Sequence, residues 1–258
     1  MQNTISTKKE QVASILNSIG TGDTEAIERY ISSEKYIQHN LALADGRDGL
    51  IGFASKLPRS ETSVEISRIL QDGDYVIAHA AYDLFGPKTA FGIFRYENGL
   101  IVEHWDNLQP TEGPNPSGRT MIDGPTEVTD LDKTEANKTL VSNFFNEILL
   151  NGKFDRLGRY LDGDNYIQHN PNIPDGISNL FAFIQQLAEQ GTPVVFKKIH
   201  HVFGEGNFVL VVSEAMFGEA PTAFYDLYRV ENGKIAEHWD VLEPILAVEE
   251  RKNRNGKF

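Results

Sequence analysis

The feature that most constrains this chain is an internal repeat. The pentapeptide Tyr-Ile-Gln-His-Asn occupies residues 36–40 and returns unchanged at residues 166–170. The tetrapeptide Glu-His-Trp-Asp occupies residues 103–106 and returns at residues 237–240, so the two motifs recur after 130 and 134 residues, respectively. A repeat of more than about 100 residues is long enough to build a hydrophobic core of its own, unlike the short repeats of solenoids. The sequence therefore predicts two complete domains.

The predicted domain boundaries follow the repeat. The first domain covers residues 1–112 and the second covers residues 133–246. Residues 113–132 are rich in Pro, Gly, Thr and Asp, and we expect them to form a linker that does not restrict how the halves pack. Residues 247–258 form a polar tail that we expect to be frayed.

Both copies show helical patterns first and strand patterns afterwards. Residues 7–10, Thr-Lys-Lys-Glu, read as a capping box, and apolar residues at helical spacing predict three helices in each copy. Asn98-Gly99 and Asn232-Gly233 are each flanked by β-type sequence, and this dipeptide is typical of a two-residue type I′ hairpin. Helices followed by antiparallel strands predict an α+β fold in which the helices cover one face of a sheet.

Composition excludes several classes of partner and site. The formal net charge of −13 disfavours nucleic acid and anionic membranes. The chain has no cysteine, which excludes disulfides and thiolate chemistry. The N-terminus lacks the apolar stretch of a secretory signal, and no apolar run approaches the ~20 residues that span a bilayer. We expect a soluble, cytoplasmic protein.

The second Asn-Gly hairpin permits a prediction of strand register. Counting outward from a two-residue loop places Asp226 directly opposite Trp239, and Tyr228 lies on the same face. His238 and Asp240 would then point to the other face. A buried carboxylate beside an aromatic wall is a suitable general base, because burial raises a carboxylate pKa from about 4 toward neutrality.

The combination of motifs resembles a known family. The repeated pentapeptide, an Asp-Gly turn, an aromatic-Arg-x-x-Asn-Gly hairpin and Glu-His-Trp-Asp are similar to the SnoaL-like polyketide cyclase branch of the nuclear transport factor 2-like superfamily. The resemblance implies two tandem cone-shaped domains, each with three N-terminal helices on a strongly curved, mainly antiparallel sheet and an apolar cavity. It implies no cofactor and no metal. Because single-domain relatives pair through their sheets, we expect the two halves to form an intrachain pseudo-dimer.

The resemblance also implies catalytic residues. In such cyclases an aspartate in the strand before the hairpin removes a proton α to a carbonyl, and Asp226 matches that aspartate. We expect His169 of the second pentapeptide to assist it. The first copy departs from the pattern, since Gly92 occupies the position equivalent to Asp226. The catalytic site is therefore expected in the second domain.

A second departure concerns a histidine that relatives carry on the preceding strand. His79 matches it in the first copy, whereas Val212 stands there in the second. Glu214 is either a substitute for that histidine or a solvated edge residue. The predicted ligand-binding residues are Tyr166, Asn170, Glu214, Tyr228 and Trp239 in the second domain, and His39, Asn40, His79 and Trp105 in the first.

These residues also have structural interpretations. The pentapeptide side chains could satisfy backbone groups where a helix passes into a strand, and the tryptophans could be core residues. Two main hypotheses about function remain. The first is a cofactor-free acid/base enzyme (a cyclase, isomerase or lyase) that acts on a small apolar carbonyl compound. The second is a non-catalytic binding protein for a small hydrophobic metabolite, and a scaffold with filled cavities is a third.

Overall fold

The computed structural model describes residues 6–58 and 62–258 of the chain. The chain divides into two compact units, and their boundaries do not simply follow the sequence. The first unit comprises Met1–Pro110 together with Leu246–Phe258, and the second comprises Thr111–Ile245. The first five residues, on which the expectation about a secretory signal partly rests, lie outside the described residues. Across the described ranges, no helix has the length and apolar character needed to cross a membrane.

Three helices open the first unit. The helix α1 spans Lys8–Thr21, α2 spans Glu25–Tyr30 and α3 spans Arg47–Ala54. The predicted capping box is present, because the Glu10 backbone N–H donates to the Thr7 hydroxyl and the Thr7 N–H donates to the Glu10 carboxylate. Each bond satisfies a backbone donor that the helix itself leaves unpaired. Gly22 ends α1 in the left-handed conformation that glycine adopts without strain.

The second unit repeats this order with altered helices. The helix α4 spans Thr134–Phe144 and continues as a π-helical segment over Phe145–Leu150. A 3₁₀ segment, Phe154–Arg159, replaces the predicted second α-helix. It contains Gly158, and an interior glycine disfavours an α-helix. The helix α5 spans Ile177–Glu189 and confirms the predicted third helix.

Each unit contains one five-stranded sheet. The strands of the first sheet are β1 (Ile37–Gln38), β2 (Ser63–Asp72), β3 (Tyr75–Asp83), β4 (Pro87–Glu97) and β5 (Leu100–Pro110). The strands of the second sheet are β6 (Ile167–Gln168), β7 (Val194–Glu205), β8 (Phe208–Phe217), β9 (Ala220–Glu231) and β10 (Lys234–Pro244). The order β1-β5-β4-β3-β2 is repeated as β6-β10-β9-β8-β7. Only the short strands β1 and β6, which lie in the pentapeptides, pair in parallel within the described sheets. The predicted α+β fold is confirmed.

The two Asn-Gly hairpins form as predicted, but the register of the second differs from the prediction. Asn232 and Gly233 both have positive φ, as a type I′ turn requires. A β-bulge between Ile235 and Glu237 then shifts the pairing by one residue. The predicted pairing of Asp226 with Trp239 is therefore wrong: Asp226 lies opposite Asp240, and Trp239 lies opposite Leu227. Because side chains alternate between faces, this one-residue shift reverses which face of β10 meets Asp226.

The linker and the tail are both packed against a sheet. In the second unit, the buried Asn115 side chain donates to the carbonyl oxygens of Gln168 and Ile173 at 2.6 and 2.9 Å. In the first unit, Asn253 donates in the same way to the carbonyl oxygens of Asn40 and Leu43 at 2.7 and 2.9 Å. The expectation of a frayed tail is wrong, because these hydrogen bonds hold it to the first pentapeptide.

The core of each unit lies between the helices and one face of the sheet. In the first unit, Val12 and Ile15 of α1 pack with Val76 and Phe94 of the sheet. In the second unit, Phe144 of α4 packs edge-on against Tyr228 of β9, with ring centroids 5.8 Å apart. Full burial of one such side chain stabilises the fold by about 1.5–3 kcal/mol. The helices therefore cover the same sheet face that carries Tyr228 and its neighbours.

Candidate functional site

The second unit encloses a cavity of about 170 Å³ between its helices and the covered sheet face. Its walls are apolar and come from α4, α5 and the strands, with Phe144, Ile148, Leu180, Phe196 and Phe224 among the lining residues. Its polar residues are Tyr166, Asn170, Asp226, Tyr228, His238 and Asp240. An apolar cavity with a few converging polar groups is the usual form of a small-molecule site.

Two carboxylates and an imidazole form the centre of the polar group. Asp226 lies opposite Asp240, and Tyr228 lies opposite His238, so all four side chains share the cavity face. Asp226, His238 and Asp240 each place one carboxylate oxygen or ring nitrogen within 4.8 Å of the others. His238 Nε2 lies 3.1 Å from Asp226 Oδ1. Asp226 and Asp240 are only 4% and 7% exposed, so these acids meet the cavity rather than bulk solvent.

Each acid has one carboxylate oxygen without a hydrogen-bond partner among the described residues. Asn170 donates its side-chain N–H to Asp240 Oδ2 at 2.8 Å. Within the described part of the chain, Asp226 Oδ2 and Asp240 Oδ1 have no hydrogen-bond partner. Burial raises the pKa of Asp240 above its usual value, and the neighbouring Asp226 raises it further although His238 opposes this. Burial and the Asp226 charge thus shift Asp240 toward its protonated form, relative to an exposed aspartate.

Gln168 contacts both the pentapeptide backbone and the His238 ring. Its side-chain Oε1 accepts the backbone N–H groups of His169 and Asn170, both at 2.9 Å. The same oxygen lies 3.0 Å from His238 Nδ1. Gln168 itself is fully buried. The repeated pentapeptide is therefore connected directly to the histidine of the repeated Glu-His-Trp-Asp motif.

The first unit has a smaller cavity, of about 70 Å³, at the equivalent place. Tyr36, Asn40, His104 and Asp106 line it, but Gly92 replaces the acid. Gly92 lies opposite Asp106, as Asp226 lies opposite Asp240 in the second unit. Burial lowers the pKa of His104 to about 3 and raises the pKa of Asp106. This cavity contains a neutral imidazole and an acid without the second carboxylate.

The sequence of the second unit matches a known family. Residues 141–238 match the family described as SnoaL-like domain. The second unit contains a SnoaL-like domain. No curated protein matches the chain.

Three solved structures illustrate the similarity to known proteins. TsrD from Streptomyces laurentii is 17% identical over 40% of this chain and 92% of its own, with a TM-score of 0.34. IdmH, a proposed polyketide cyclase from Streptomyces antibioticus, is 20% identical over 39% of this chain and 90% of its own, with a TM-score of 0.33. A proposed ketosteroid isomerase from Kribbella flavida is 17% identical over 47% of this chain and 91% of its own, with a TM-score of 0.37.

Part of the predicted site is brought together in the SnoaL-like domain and in its repeat. The predicted residues that line a cavity are Tyr166, Asn170, Asp226 and Tyr228 in the second unit and Asn40 in the first. The predicted residues that do not line either cavity are His169, Glu214, Trp239, His39, His79 and Trp105. The structure therefore places the predicted base in the cavity without its predicted histidine and tryptophan.

His169 and Trp239 lie on the opposite face of the sheet from Asp226. Their rings stack with centroids 4.5 Å apart, and Trp239 donates its indole N–H to the Asp123 carbonyl oxygen at 2.9 Å. His169 Nε2 lies 2.8 Å from Glu237 Oε1. Burial tends to raise the pKa of Glu237, but hydrogen bonds from His169 and Arg229 outweigh it and hold that pKa below its usual value. The bulge explains the difference from the prediction, because it turns Trp239 and Glu237 away from the cavity.

The first unit shows the same arrangement for His39 and Trp105. Their rings stack with centroids 4.6 Å apart, and His39 Nε2 lies 3.0 Å from Glu103 Oε1. His39 Nδ1 donates to the Gly256 carbonyl oxygen of the tail. In both units the pentapeptide histidine thus binds the packed tail or linker and a glutamate of the Glu-His-Trp-Asp motif, and it does not line the cavity.

His79 and Glu214 also face other partners. His79 Nδ1 lies 3.2 Å from an Arg68 guanidinium nitrogen, and the His79 ring stacks on Phe91. Glu214 Oε2 lies within hydrogen-bond distance, 3.2 Å, of His200 Nε2. His79, which matches the histidine that the resemblance implied, does not line the first cavity, and Glu214 does not line the second.

His238 and Asp240 line the cavity but are not among the predicted site residues. Both belong to the repeated Glu-His-Trp-Asp motif, and their spacing of two residues in a strand places them on one face. That alternation was visible in the sequence. The bulge, which decides that this face is the cavity face, was not.

Proposed function

We propose that this protein is a cofactor-free acid/base enzyme of the cyclase, isomerase or lyase kind, and that its site is the cavity of the second unit. One observation carries the proposal: Asp226 and Asp240 line an apolar cavity, and each has one buried carboxylate oxygen without a hydrogen-bond partner among the described residues. Burying such oxygens without partners costs free energy. Groups held at such a cost in a cavity are candidates for acid/base chemistry.

The proposed step is proton removal α to a carbonyl. Asp226 Oδ2 accepts the proton, and the electrons of the broken C–H bond move through the new C=C bond to the carbonyl oxygen. The neutral carboxyl group of Asp240 donates a hydrogen bond to that oxygen and stabilises the enolate. Return of the proton at another carbon isomerises the substrate, and attack of the enolate carbon on a second carbonyl closes a ring by aldol chemistry. Positioned acids and bases of this kind each contribute roughly 10²–10⁴ in rate.

The residues that line the second cavity also support a proposal for the chemical class of the substrate. The described lining residues of the second cavity include no lysine or arginine, and two aspartates stand at its polar end. A phosphate or carboxylate on the substrate would be buried without a cation and close to acidic groups, which is unfavourable. We therefore propose a neutral, mainly apolar carbonyl compound as substrate.

Hydrogen–deuterium exchange tests the proposed step before any product is identified. Neutral cyclic ketones and 1,3-diketones are incubated with the protein in D₂O, and exchange at the α carbon is followed by proton NMR. We expect Asp226→Asn to reduce enzyme-dependent exchange by about 10²-fold or more. The matched control is Asp106→Asn in the first unit, which should exchange like the wild-type protein. Wild-type exchange rates in Asp226→Asn would contradict the assignment.

A second candidate function is non-catalytic binding of a small hydrophobic metabolite. The observation that favours it is Gly92, which removes the proposed base from the first cavity while the other polar residues stay. A ligand that raises the melting temperature and is recovered unchanged would support this function. Pairing of the two units as a pseudo-dimer stays a prediction from the family resemblance, and small-angle scattering of the whole chain tests it.

A further inference from the structure

Gln168 combines full burial with one side-chain oxygen that three nitrogen atoms approach. We propose that Gln168 is a positioning residue that holds His238 with its proton on Nδ1, so that His238 Nε2 and Asp226 Oδ1 share a single proton. The proton location follows from the geometry alone. Its catalytic consequence rests on the proposed function.

The orientation of the Gln168 amide is set by the backbone. The N–H groups of His169 and Asn170 both donate to Oε1 at 2.9 Å. A rotated amide would place its NH₂ group against these two donors, which is repulsive. In the adopted orientation, Gln168 Nε2 is buried and has no hydrogen-bond partner among the described residues. The two backbone hydrogen bonds thus fix the position of Gln168 Oε1 although Nε2 is left without a partner among the described residues.

The fixed position of Gln168 Oε1 determines which ring nitrogen of His238 carries a hydrogen. His238 Nδ1 lies 3.0 Å from Gln168 Oε1, and an amide oxygen only accepts hydrogen bonds. Nδ1 therefore carries a hydrogen. In a neutral ring the other nitrogen, Nε2, then has a lone pair, and it lies 3.1 Å from Asp226 Oδ1. A hydrogen bond between His238 Nε2 and Asp226 Oδ1 therefore needs one proton, which either atom can carry.

This arrangement explains how one acid can serve as a base in an apolar cavity. With the proton on His238 Nε2, Asp226 is ionised and its charge is balanced by the imidazolium ring. Asp226 Oδ2 then keeps lone pairs that no hydrogen bond from the described residues occupies. If His238 instead carried its only hydrogen on Nε2, Nδ1 and Gln168 Oε1 would be two acceptors in contact, which is unfavourable.

The other groups that face His238 do not provide a competing cation. The rings of Tyr228 and Tyr166 lie 4.8 and 6.1 Å from the imidazole, centroid to centroid. Burial, followed by the charge of Asp226, raises the pKa of both phenols well above the usual value. Asp240 is a further titratable neighbour, with a carboxylate oxygen within 4.8 Å of a His238 ring nitrogen. The proton between Asp226 and His238 is therefore controlled by Gln168 and the two acids.

The first unit contains a matched natural control. Gln38 Oε1 accepts the Asn40 backbone N–H at 2.8 Å and lies 3.0 Å from His104 Nδ1. Its Nε2 is also buried without a partner among the described residues. Gly92 replaces the acid, so His104 Nε2 has no carboxylate from this position with which to share a proton. The same glutamine–histidine contact thus occurs with and without the acid in one chain.

Nitrogen NMR of the histidine rings in the whole wild-type chain tests the proton location directly. Long-range ¹H–¹⁵N spectra distinguish protonated from unprotonated ring nitrogens, and His238→Asn and His104→Asn identify the two signals. We expect both rings to carry hydrogen on Nδ1 at neutral pH. The proposal is overturned if His238 has hydrogen on Nε2 and a bare Nδ1. This measurement needs neither substrate nor turnover.

The variant Gln168→Glu tests the positioning role. A glutamate still accepts the two backbone N–H groups, but it places a negative charge beside Nδ1 and stabilises the imidazolium form. We expect the NMR titration of His238 to move upward by about one pH unit or more, and the pH profile of α-proton exchange to move with it. Gln38→Glu should move only the titration of His104.

The outcomes separate this proposal from the proposed function. An unchanged His238 titration in folded Gln168→Glu overturns the positioning role even if the protein is active. A shifted titration in a protein without any exchange activity supports the proton location and counts against the enzyme. If Gln168→Glu does not fold, the wild-type spectrum alone decides the proton location.

Discussion

Asp240 is a residue of the proposed site whose burial is expected to lower the stability of the folded protein at neutral pH. Burial raises its pKa, so the folded protein holds this proton to a higher pH than the unfolded chain does. As pH rises above the unfolded pKa of about 3.9, the unfolded chain ionises first and the folded state loses stability until the folded pKa is passed. Asn at this position cannot ionise and should avoid that loss.

We therefore expect Asp240→Asn to raise the melting temperature at pH 7 by a few degrees. Near pH 4 the melting temperatures of the variant and the wild-type protein should differ less. A change of about 1 kcal/mol in the free energy of unfolding corresponds to about 2–8 °C in domains of this size. Enolate formation should fall by roughly 10²-fold or more because the proton donor is weakened. Calorimetry at both pH values and the exchange assay measure the two effects. Asp106→Asn should share the stability effect and leave exchange intact. A larger loss of stability at pH 7 than at pH 4 would contradict the expectation.

Gly92 offers a residue-scale test in the opposite direction. A Cβ atom at this position would lie 3.3 Å from the Phe94 ring and 3.6 Å from His104 Nε2, so an aspartate fits after a small shift of the ring. We expect Gly92→Asp to raise the pKa of His104 from about 3 toward its ordinary value, because a carboxylate stabilises the imidazolium. NMR titration measures this, with Gly92→Asn as the uncharged control. An unchanged His104 titration would show that the acid does not reach the ring.

The candidate site was predictable from the sequence only in part. Asp226 could be placed in a cavity because the family resemblance points to it, and Tyr166 and Asn170 because they belong to the repeated pentapeptide. His238 and Asp240 could not, because a single extra residue in β10 decides which of two alternating sets faces the helices. Nothing in the Asn-Gly turn itself signals that bulge.

Among the structural elements, the turns and helices could be predicted from residues close together in sequence, whereas the packing of the linker could not. The capping box, both Asn-Gly turns and the amphipathic helices rest on residues close together in sequence, which is why the sequence predicted them. The packing of the linker rests on contacts such as the one between Arg119 and Asp175, at 2.9 Å. Composition rich in Pro and Gly describes a segment without regular structure, and it does not say whether that segment is bound.

The linker is expected to contribute measurably to the second unit. Asn115→Ala removes both hydrogen bonds from the buried Asn115 amide and leaves the Gln168 and Ile173 carbonyl oxygens unsatisfied. We expect a loss of about 1–3 kcal/mol in the free energy of unfolding of this unit. Chemical denaturation, followed by exchange of backbone amides in each unit, measures it.

Asn253→Ala is the matched control, because it removes the equivalent bonds in the first unit. The two variants should destabilise different units by similar amounts. A change below about 0.5 kcal/mol for Asn115→Ala, the size of an ordinary surface substitution, would show that the linker rests on the sheet without supporting it.

At the scale of the whole molecule, the tail makes the first unit discontinuous in sequence. Lys252 donates its backbone N–H to the Leu41 carbonyl oxygen at 2.8 Å, Asn255 donates to Asp45 at 2.7 Å, and Lys257 donates to the Asp106 carbonyl oxygen at 2.8 Å. We expect deletion of residues 247–258 to lower the stability of the first unit by several kcal/mol, since each lost bond contributes about 0.5–1.5 kcal/mol.

Amide hydrogen exchange resolved by peptide measures this deletion in both units. Peptides of the first pentapeptide and of β5 should exchange faster, and peptides around the second cavity should keep their wild-type protection. Equal protection of the first unit with and without the tail would contradict the expectation. Faster exchange in both units would show that the tail supports more than the first sheet.

The same discontinuity sets an order for biosynthesis. Domains generally fold as they leave the ribosome, the N-terminal one first. Here the N-terminal unit includes Leu246–Phe258, which are translated after every residue of the other unit. The later half can thus mature while the earlier half still waits for its last segment. During that interval the backbone groups that the tail later pairs would be exposed to water, and the half that contains Asp226 would already be complete.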